Sequence, residues 1–210
     1  QELMLINTVA KEMGKRARVA LRVTPEIDPV THPYITTGLK KDKFGISIHK
    51  AIGEYRFAAT LSNIDVVGIH KHIGSQLTEV HPFVEALKKI VTLVEELKGI
   101  GIDIRYINVG GGLGITYNEE EPPHPEELAD ALVPLIKGTG CTIIFEPGRV
   151  IVGNAGILLT KVLYTKEGDG KRFIIVDAGM NDLIRPSLYK AYHEIVPVVK
   201  KSREKILKLF

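Results

Sequence analysis

Three apolar, β-favouring runs in this chain end in groups that can do chemistry. Ile143-Ile144-Phe145 runs into Glu146-Pro147-Gly148-Arg149, a carboxylate and a guanidinium on either side of a Pro-Gly turn. Val66-Val67-Gly68-Ile69 runs into His70-Lys71-His72-Ile73-Gly74-Ser75-Gln76, and Ile104-Arg105-Tyr106-Ile107-Asn108-Val109 runs into Gly110-Gly111-Gly112. Buried parallel strands read as near-continuous apolar runs. In a (β/α) barrel, the charged residues at the C-terminal ends of such strands carry the chemistry. The three ends are therefore expected to form one site.

Each end offers a functional reading and a bland one. Three residues without Cβ let backbone N–H groups converge on an anion such as phosphate; the alternative is a flexible turn. The spacing is not the dinucleotide fingerprint, because no Gly-x-Gly-x-x-Gly opens a helix. On a strand, His70 and His72 share one face. They suit a metal, or one of them suits stacking on a flat ring while Ser75 holds an anion. The metal reading is the weaker, since the later strand ends add only Glu146 and Asp177 and no further histidine. A Glu at the end of a buried strand needs a partner. Arg149 could supply it, but Pro147-Gly148 turns the chain, so Glu146 suits a protonated ring nitrogen and Arg149 an anionic oxygen. Further on, Arg185 and Tyr189 are expected in a loop after Asp177, where Arg185 suits planar carboxylate recognition or an interdomain ion pair. A phosphate, a flat ring, a basic ring nitrogen and substrate carboxylates together describe pyridoxal phosphate with an amino-acid substrate.

The elements that must position these groups alternate. Helical spacing over residues 1–16 (Leu3, Ile6, Val9, Ala10, Met13) is followed by a strand at 18–23 that Pro25 stops. A long loop spans 25–47, of the kind that is functional or disordered in a compact domain. A helix is expected at 49–62, a strand at 66–73, a helix at 81–98, a strand at 104–109, a helix at 126–137 and a strand at 142–146. This order argues for βα units and a parallel sheet. About four strands precede Arg149, whereas a closed barrel needs eight, so the sheet is either open or part of a longer barrel. After Arg149 the texture changes: strands at 157–162 and 172–176 are expected around the turn-rich Lys166–Gly170.

The 210 residues are 44% hydrophobic and 25% charged, which suits one sizeable core. A net charge of +3 is too small to imply nucleic acid. The one cysteine, Cys141, excludes an internal disulfide and reads as a small buried hydrophobe. No apolar run approaches the ~18 residues that span a bilayer. The N-terminus shows no basic region leading into an apolar core, so no signal peptide and a cytoplasmic location are expected. The chain starts at Gln1 and not at Met, which reads as a piece of a longer protein.

His72-Ile73-Gly74-Ser75-Gln76, Asn108-Val109-Gly110-Gly111-Gly112, Glu146-Pro147-Gly148-Arg149 and Arg185-Pro186-Ser187-Leu188-Tyr189 resemble the diaminopimelate decarboxylase family, fold-type III pyridoxal-phosphate enzymes. Thr37-Gly38-Leu39-Lys40 and Lys43-Phe44-Gly45 look like it too. The resemblance covers the chain to about His193. It implies an α/β fold: a (β/α)8 TIM-type barrel whose first strands are missing here, with residues 1–150 as part of it and 151–210 as the start of a C-terminal β domain. His72 would stack on the pyridoxal 5'-phosphate ring. Ser75, Gly110, Gly111, Gly112 and the Gly148-Arg149 backbone would hold the phosphate, Pro147 would touch the cofactor, and Glu146 would hold the ring nitrogen protonated. Arg149, Arg185 and Tyr189 would bind the substrate. Arg22 would lie near the ring, and Lys43 would touch the partner subunit of a homodimer with shared active sites.

The implied reaction is decarboxylation of meso-2,6-diaminopimelate to lysine. The family's Schiff-base lysine has no match, since Lys11 and Lys15 fall on a helix and Lys40 in a loop. The family's second-domain cysteine has none either. No catalytic residue is therefore assigned, and this piece alone is expected to be silent. Other readings are a non-catalytic phosphate-ligand or partner-binding homologue, a metal hydrolase using His70 and His72, and an ornithine- or arginine-type decarboxylase. Arg149 and Arg185 disfavour the last, because they would repel a cationic tail. No membrane or nucleic-acid partner is expected.

Overall fold

The chain is described by a computed structural model over residues 1–27 and 44–199. The expectations for Thr37–Lys40, for Lys43 and for most of the 25–47 loop lie outside the described residues, as does the tail from residue 200. By its contacts the chain divides into two compact units, one of Gln1–Ile115 with Glu121–Ile151, the other of Thr116–Glu120 with the chain from Val152 onward.

The first unit is built of strand–helix alternation. Its elements are α1 (Glu2–Glu12), β1 (Ala17–Thr24), β2 (Ile46–Ser47), α2 (Ile48–Thr60), β3 (Ile64–His70), α3 (His81–Gly99), β4 (Tyr106–Asn108), α4 (Pro125–Ile136), β5 (Thr142–Ile144) and the short α5 (Arg149–Val152). The strands form one parallel sheet in the order β2-β1-β3-β4-β5. The expected helices and strands are all there, with ends moved by a few residues. The two-residue β2 is new; it was hidden inside a stretch that read as loop.

The helices form because their apolar positions recur on one face. In α3, Phe83, Ala86, Leu87, Ile90, Leu93, Val94 and Leu97 are all buried, and this stripe lies against the sheet. Each such large side chain contributes about 1.5–3 kcal/mol on burial. In α4, Leu128, Leu132 and Ile136 do the same at i, i+4, i+8. That helix starts at Pro125, and the Glu127 carboxylate accepts the His124 N–H at 2.8 Å, closing its first turn. Gly53 does not break α2, whose buried face is Ala51, Tyr55 and Ala58. The fully buried Tyr55 hydroxyl donates to the Gly68 carbonyl at 2.9 Å, which fixes α2 against β3. Cys141 is half-buried, and its thiol donates to the Ile104 carbonyl at 3.1 Å.

One strand departs from expectation. β5 reads as a buried strand, yet Ile144 and Phe145 are 39% and 40% exposed. Among the described residues, β5 is the outermost strand of the sheet and pairs only with β4.

The second unit carries an antiparallel hairpin of β6 (Val162–Gly168) and β7 (Lys171–Val176). The first strand starts at Val162 rather than 157, and it absorbs Lys166–Gly168. The turn is only Asp169-Gly170, with φ of 49° and 73°. A type I′ two-residue turn needs positive φ at both positions, which Asp-Gly tolerates. Arg185–Tyr189 form a short helix, α6, where a loop was expected. Pro186 at its start presets the first turn.

Replacing Tyr55 with Phe removes the buried hydrogen bond to Gly68 while keeping the ring. Unfolding in urea is expected to show a loss of about 1–2 kcal/mol with an unchanged m-value.

Candidate active site

Strand register decides which side chains meet. Arg22 of β1 stands opposite His70 of β3, His70 opposite Asn108 of β4, and Asn108 opposite Ile144 of β5. Residues in one such row point to the same face of a parallel sheet, and residues two further along share that face. The next row thus brings together His72, Gly110 and Glu146. The backbone continues the ladder there: the Val109 N–H donates to the Ile144 carbonyl and the Glu146 N–H to the Gly110 carbonyl, both at 2.9 Å.

The three expected strand ends do converge. The Gly111 N–H donates to His72 Nδ1 at 3.3 Å. Asn108 Nδ2 donates to Glu146 Oε1 at 2.8 Å, and Asn108 Oδ1 accepts the Gly110 N–H at 2.8 Å. His70 Nε2 lies 3.7 Å from the other Glu146 oxygen. The glycines are required by space: a Cβ on Gly111 would collide with the Glu146 carbonyl oxygen and one on Gly112 with that of Gly74. Gly110 and Gly112 also have φ of 70° and 117°. The turn differs from a simple anion nest. The Gly110 and Gly111 amides are engaged by Asn108 and His72, so these two glycines shape the site and orient side chains.

The loops after β3 and β4 are stitched by Gln76. Its amide donates to the Ile115 carbonyl at 2.5 Å, and its Oε1 accepts the Ile115 N–H at 3.2 Å and Arg149 Nη1 at 3.0 Å. The Leu77 N–H donates to the Gly112 carbonyl at 2.9 Å. Ser75 sits half-buried inside this stitched segment. Arg149 thus reaches back over Gln76, while Glu146 is held by Asn108, so the Pro147-Gly148 turn does send the two groups to different targets. Arg22 packs its guanidinium 5.2 Å from the Phe44 ring centroid.

Electrostatics keep both imidazoles neutral. Burial pushes the His70 pKa below its ordinary value against the opposing pull of Glu146, with Arg22 and Lys71 adding to the lowering. Burial likewise lowers His72, helped by Arg22, His70 and Lys71. Because His72 Nδ1 accepts the Gly111 N–H, the neutral ring carries its proton on Nε2.

Lys71 falls between the two histidines and points the other way, into the helix layer, 5.3 Å from the Phe83 ring centroid. It is fully buried and its Nζ has no hydrogen-bond partner among the described residues. Burial pushes its pKa down to about 7.

In the second unit, the Arg185 guanidinium lies 5.1 Å from the Tyr117 ring centroid and 5.6 Å from that of Tyr189. Tyr117 meets His193 edge-on at 5.4 Å. Asp177, weighed as a metal ligand, instead accepts Thr160 Oγ1 at 2.7 Å and the Lys161 N–H at 2.8 Å. Those bonds hold its carboxyl below the usual range. Among the described residues, no three metal-ligating side chains converge. Sequence reasoning assigned no role to Asn108, Gln76, Lys71 or Tyr117. Asn108 was findable, since a short amide just before a glycine turn can cap it. The others needed the register.

The model of the pyridoxal-dependent decarboxylase family, pyridoxal binding domain, matches residues 1–153. The chain belongs to that family. Its parallel sheet with helices is a portion of the TIM-type barrel those enzymes share. Among curated relatives, the diaminopimelate decarboxylase of Aquifex aeolicus (strain VF5) is 53% identical over 208 residues, covering 99% of this chain and 50% of the relative. That of Haemophilus influenzae is 50% identical, covering 98% of this chain and 50% of the relative. The crystal structure of diaminopimelate decarboxylase from Helicobacter pylori complexed with L-lysine matches with a TM-score of 0.89 at 42% identity, over 99% of this chain and 55% of that one. The chain spans about half the length of the curated relatives it matches.

Lys71 makes stability depend on pH. The unfolded lysine stays protonated up to about pH 10.4, whereas the folded one loses its proton near 7. The unfolded state therefore binds more protons between those values, and stability rises with pH across that window. Below about 7 both states are charged and the full penalty applies. Lys71→Met is expected to stabilise the protein by about 2–5 kcal/mol at neutral pH and by almost nothing above pH 10. Urea midpoints of the two proteins from pH 6 to 10.5 check this; parallel pH curves would contradict it.

Proposed function

We propose that this chain is the cofactor-binding part of a decarboxylase that releases carbon dioxide from meso-2,6-diaminopimelate to give L-lysine. Residues 1–150 form part of the barrel and 151–210 begin a second, β-type domain. The reading rests on family membership, on relatives near 50% identity that carry this activity in their names, and on one observation. His72, the triglycine turn and Glu146 meet on one face of one sheet.

The residues present fit pyridoxal 5'-phosphate. The glycines let three strand ends approach too closely for any Cβ, and a carboxylate and a flat, neutral imidazole flank the turn. Ser75, Gly110, Gly111, Gly112, Pro147, Gly148 and Arg149 line the place for the phosphate. When bound, the cofactor supplies an electron sink for the pair left behind as carbon dioxide departs. Glu146 holds a proton on the ring nitrogen, which keeps that sink cationic. His72 presents its ring face without adding a second positive charge. Arg149, Arg185 and Tyr189 bind the substrate's distal carboxylate. Two guanidinium groups favour that end over the cationic tail of ornithine or arginine. A homodimer with shared sites and a cytoplasmic location belong to the same proposal.

The test uses the full-length protein loaded with pyridoxal phosphate. Lysine and carbon dioxide are expected from meso-diaminopimelate, with ornithine and arginine turned over far less. At saturating cofactor, Glu146→Gln is expected to lower kcat by about a hundredfold, the effect of losing one preorganised charge contact. Faster turnover of ornithine, or no lysine at all, would remove the substrate assignment.

A further inference from the structure

The residue that holds Glu146 in place has no role assigned so far beyond its contacts. We propose that Asn108 is a positioning residue: its carboxamide ties the Glu146 carboxylate to the triglycine turn, so the two halves of the cofactor site are set by one side chain. This deepens the decarboxylase reading above and rests on it.

The geometry leaves little choice in how the amide is oriented. The Gly110 N–H can only donate, so the atom facing it at 2.8 Å must be Oδ1. The amide nitrogen then faces Glu146 Oε1, also at 2.8 Å, where only a donor is favourable. Asparagine is the one short side chain that offers a donor and an acceptor in a fixed fork. Aspartate would keep the bond to Gly110 and set a second carboxylate against Glu146. Leucine would lose both bonds.

Glu146 needs this hold. Its side chain is 51% exposed, it follows the exposed Phe145, and it lies beyond the last residue of the outermost described strand. A free glutamate there would sample several rotamers. With Oε1 taken by Asn108, Oε2 is left on the side of His70, whose Nε2 is 3.7 Å away and makes no hydrogen bond among the described residues. The oxygen left over is the one available to a ring nitrogen. Register supplies the rest: Asn108 stands beside His70 in the ladder and two residues before Gly110 in the chain, so one strand end serves both contacts.

The test is a swap. Asn108→Asp, Asn108→Leu, Glu146→Gln and the double variant Asn108→Asp/Glu146→Gln are made in the full-length protein. Pyridoxal phosphate affinity is read by absorbance titration, and the thermal midpoint is read before cofactor is added. Asn108→Asp and Asn108→Leu are each expected to weaken cofactor binding about tenfold, as for one charge-assisted hydrogen bond. In the Glu146→Gln background, Asn108→Asp should cost less than about threefold. It should also recover the thermal midpoint lost in the single Asn108→Asp variant, because the glutamine amide can now donate to the new carboxylate. A residue that merely supports the fold would give additive losses and no recovery. Additivity in both readouts, or wild-type affinity in Asn108→Asp, overturns the proposal. Wild-type protein that fails to bind the cofactor overturns the decarboxylase reading and the cofactor role with it. The thermal cycle in the same samples still decides whether the two side chains are coupled.

Discussion

The site depends on how closely three backbones approach one another beyond the ends of β3, β4 and β5. Ladder hydrogen bonds run past the strand ends proper, from Lys71 to the Asn108 carbonyl and from Glu146 to the Gly110 carbonyl, both 2.9 Å. With the chains that close, no room remains for a side chain on the middle strand. The triglycine turn is what sequence must provide there. A methyl group at Gly110 would come within 2.5 Å of the Lys71 carbonyl oxygen and 2.9 Å of His72 Nδ1. Such separations force the backbone to move. Once the approach is permitted, the positions of His72 and Glu146 follow from register alone. Their orientation follows from the two glycine N–H groups that bind His72 and Asn108.

The same alternation that presents His70 and His72 puts Lys71 into the apolar layer beneath α3. An uncompensated amine there opposes folding, and it does so beside the most organised part of the molecule. The surrounding stripe of Phe83, Leu87, Ile90, Leu93, Val94 and Leu97 buries enough apolar area to carry that cost. Any positive charge left on it adds to the lowering of both histidines. Stability and electrostatics at this strand end are therefore linked through one side chain.

Much of the architecture was legible. Apolar stripes at 3.6-residue spacing located α3 and α4, and apolar runs located β1, β3, β4 and β5, because those patterns come from burial against one sheet. Legibility failed where tertiary context decides. Ile46-Ser47 carries no strand signal of its own and becomes a strand by pairing with Val23-Thr24. Ile157–Leu159 has strand-like composition but, among the described residues, no ladder partner in the hairpin, whose register is set by the Asp169-Gly170 turn. Arg185–Tyr189 is too short for periodicity to show. At the site, residue types singled out His72, the glycines and Glu146, and register was needed to show that Asn108 stands between two of them.

The second unit holds one cation in place by ring packing. The Arg185 guanidinium packs over two tyrosine rings, and among the described residues no carboxylate pairs with it. Aromatic flanks hold a guanidinium in one plane by stacking without neutralising it. His193 packs beside it, its pKa lowered by burial first and by Arg185 second. Tyr117 comes from the five-residue segment Thr116–Glu120, whose turn is closed by Glu120 Oε2 accepting the Tyr117 and Asn118 N–H groups at 2.9 and 2.7 Å. A segment that short is recruited by its turn chemistry rather than by any periodic pattern. Its contribution of an aromatic wall to Arg185 is thus a consequence of one glutamate's bonding, and the placing of that guanidinium depends on that turn as much as on the arginine.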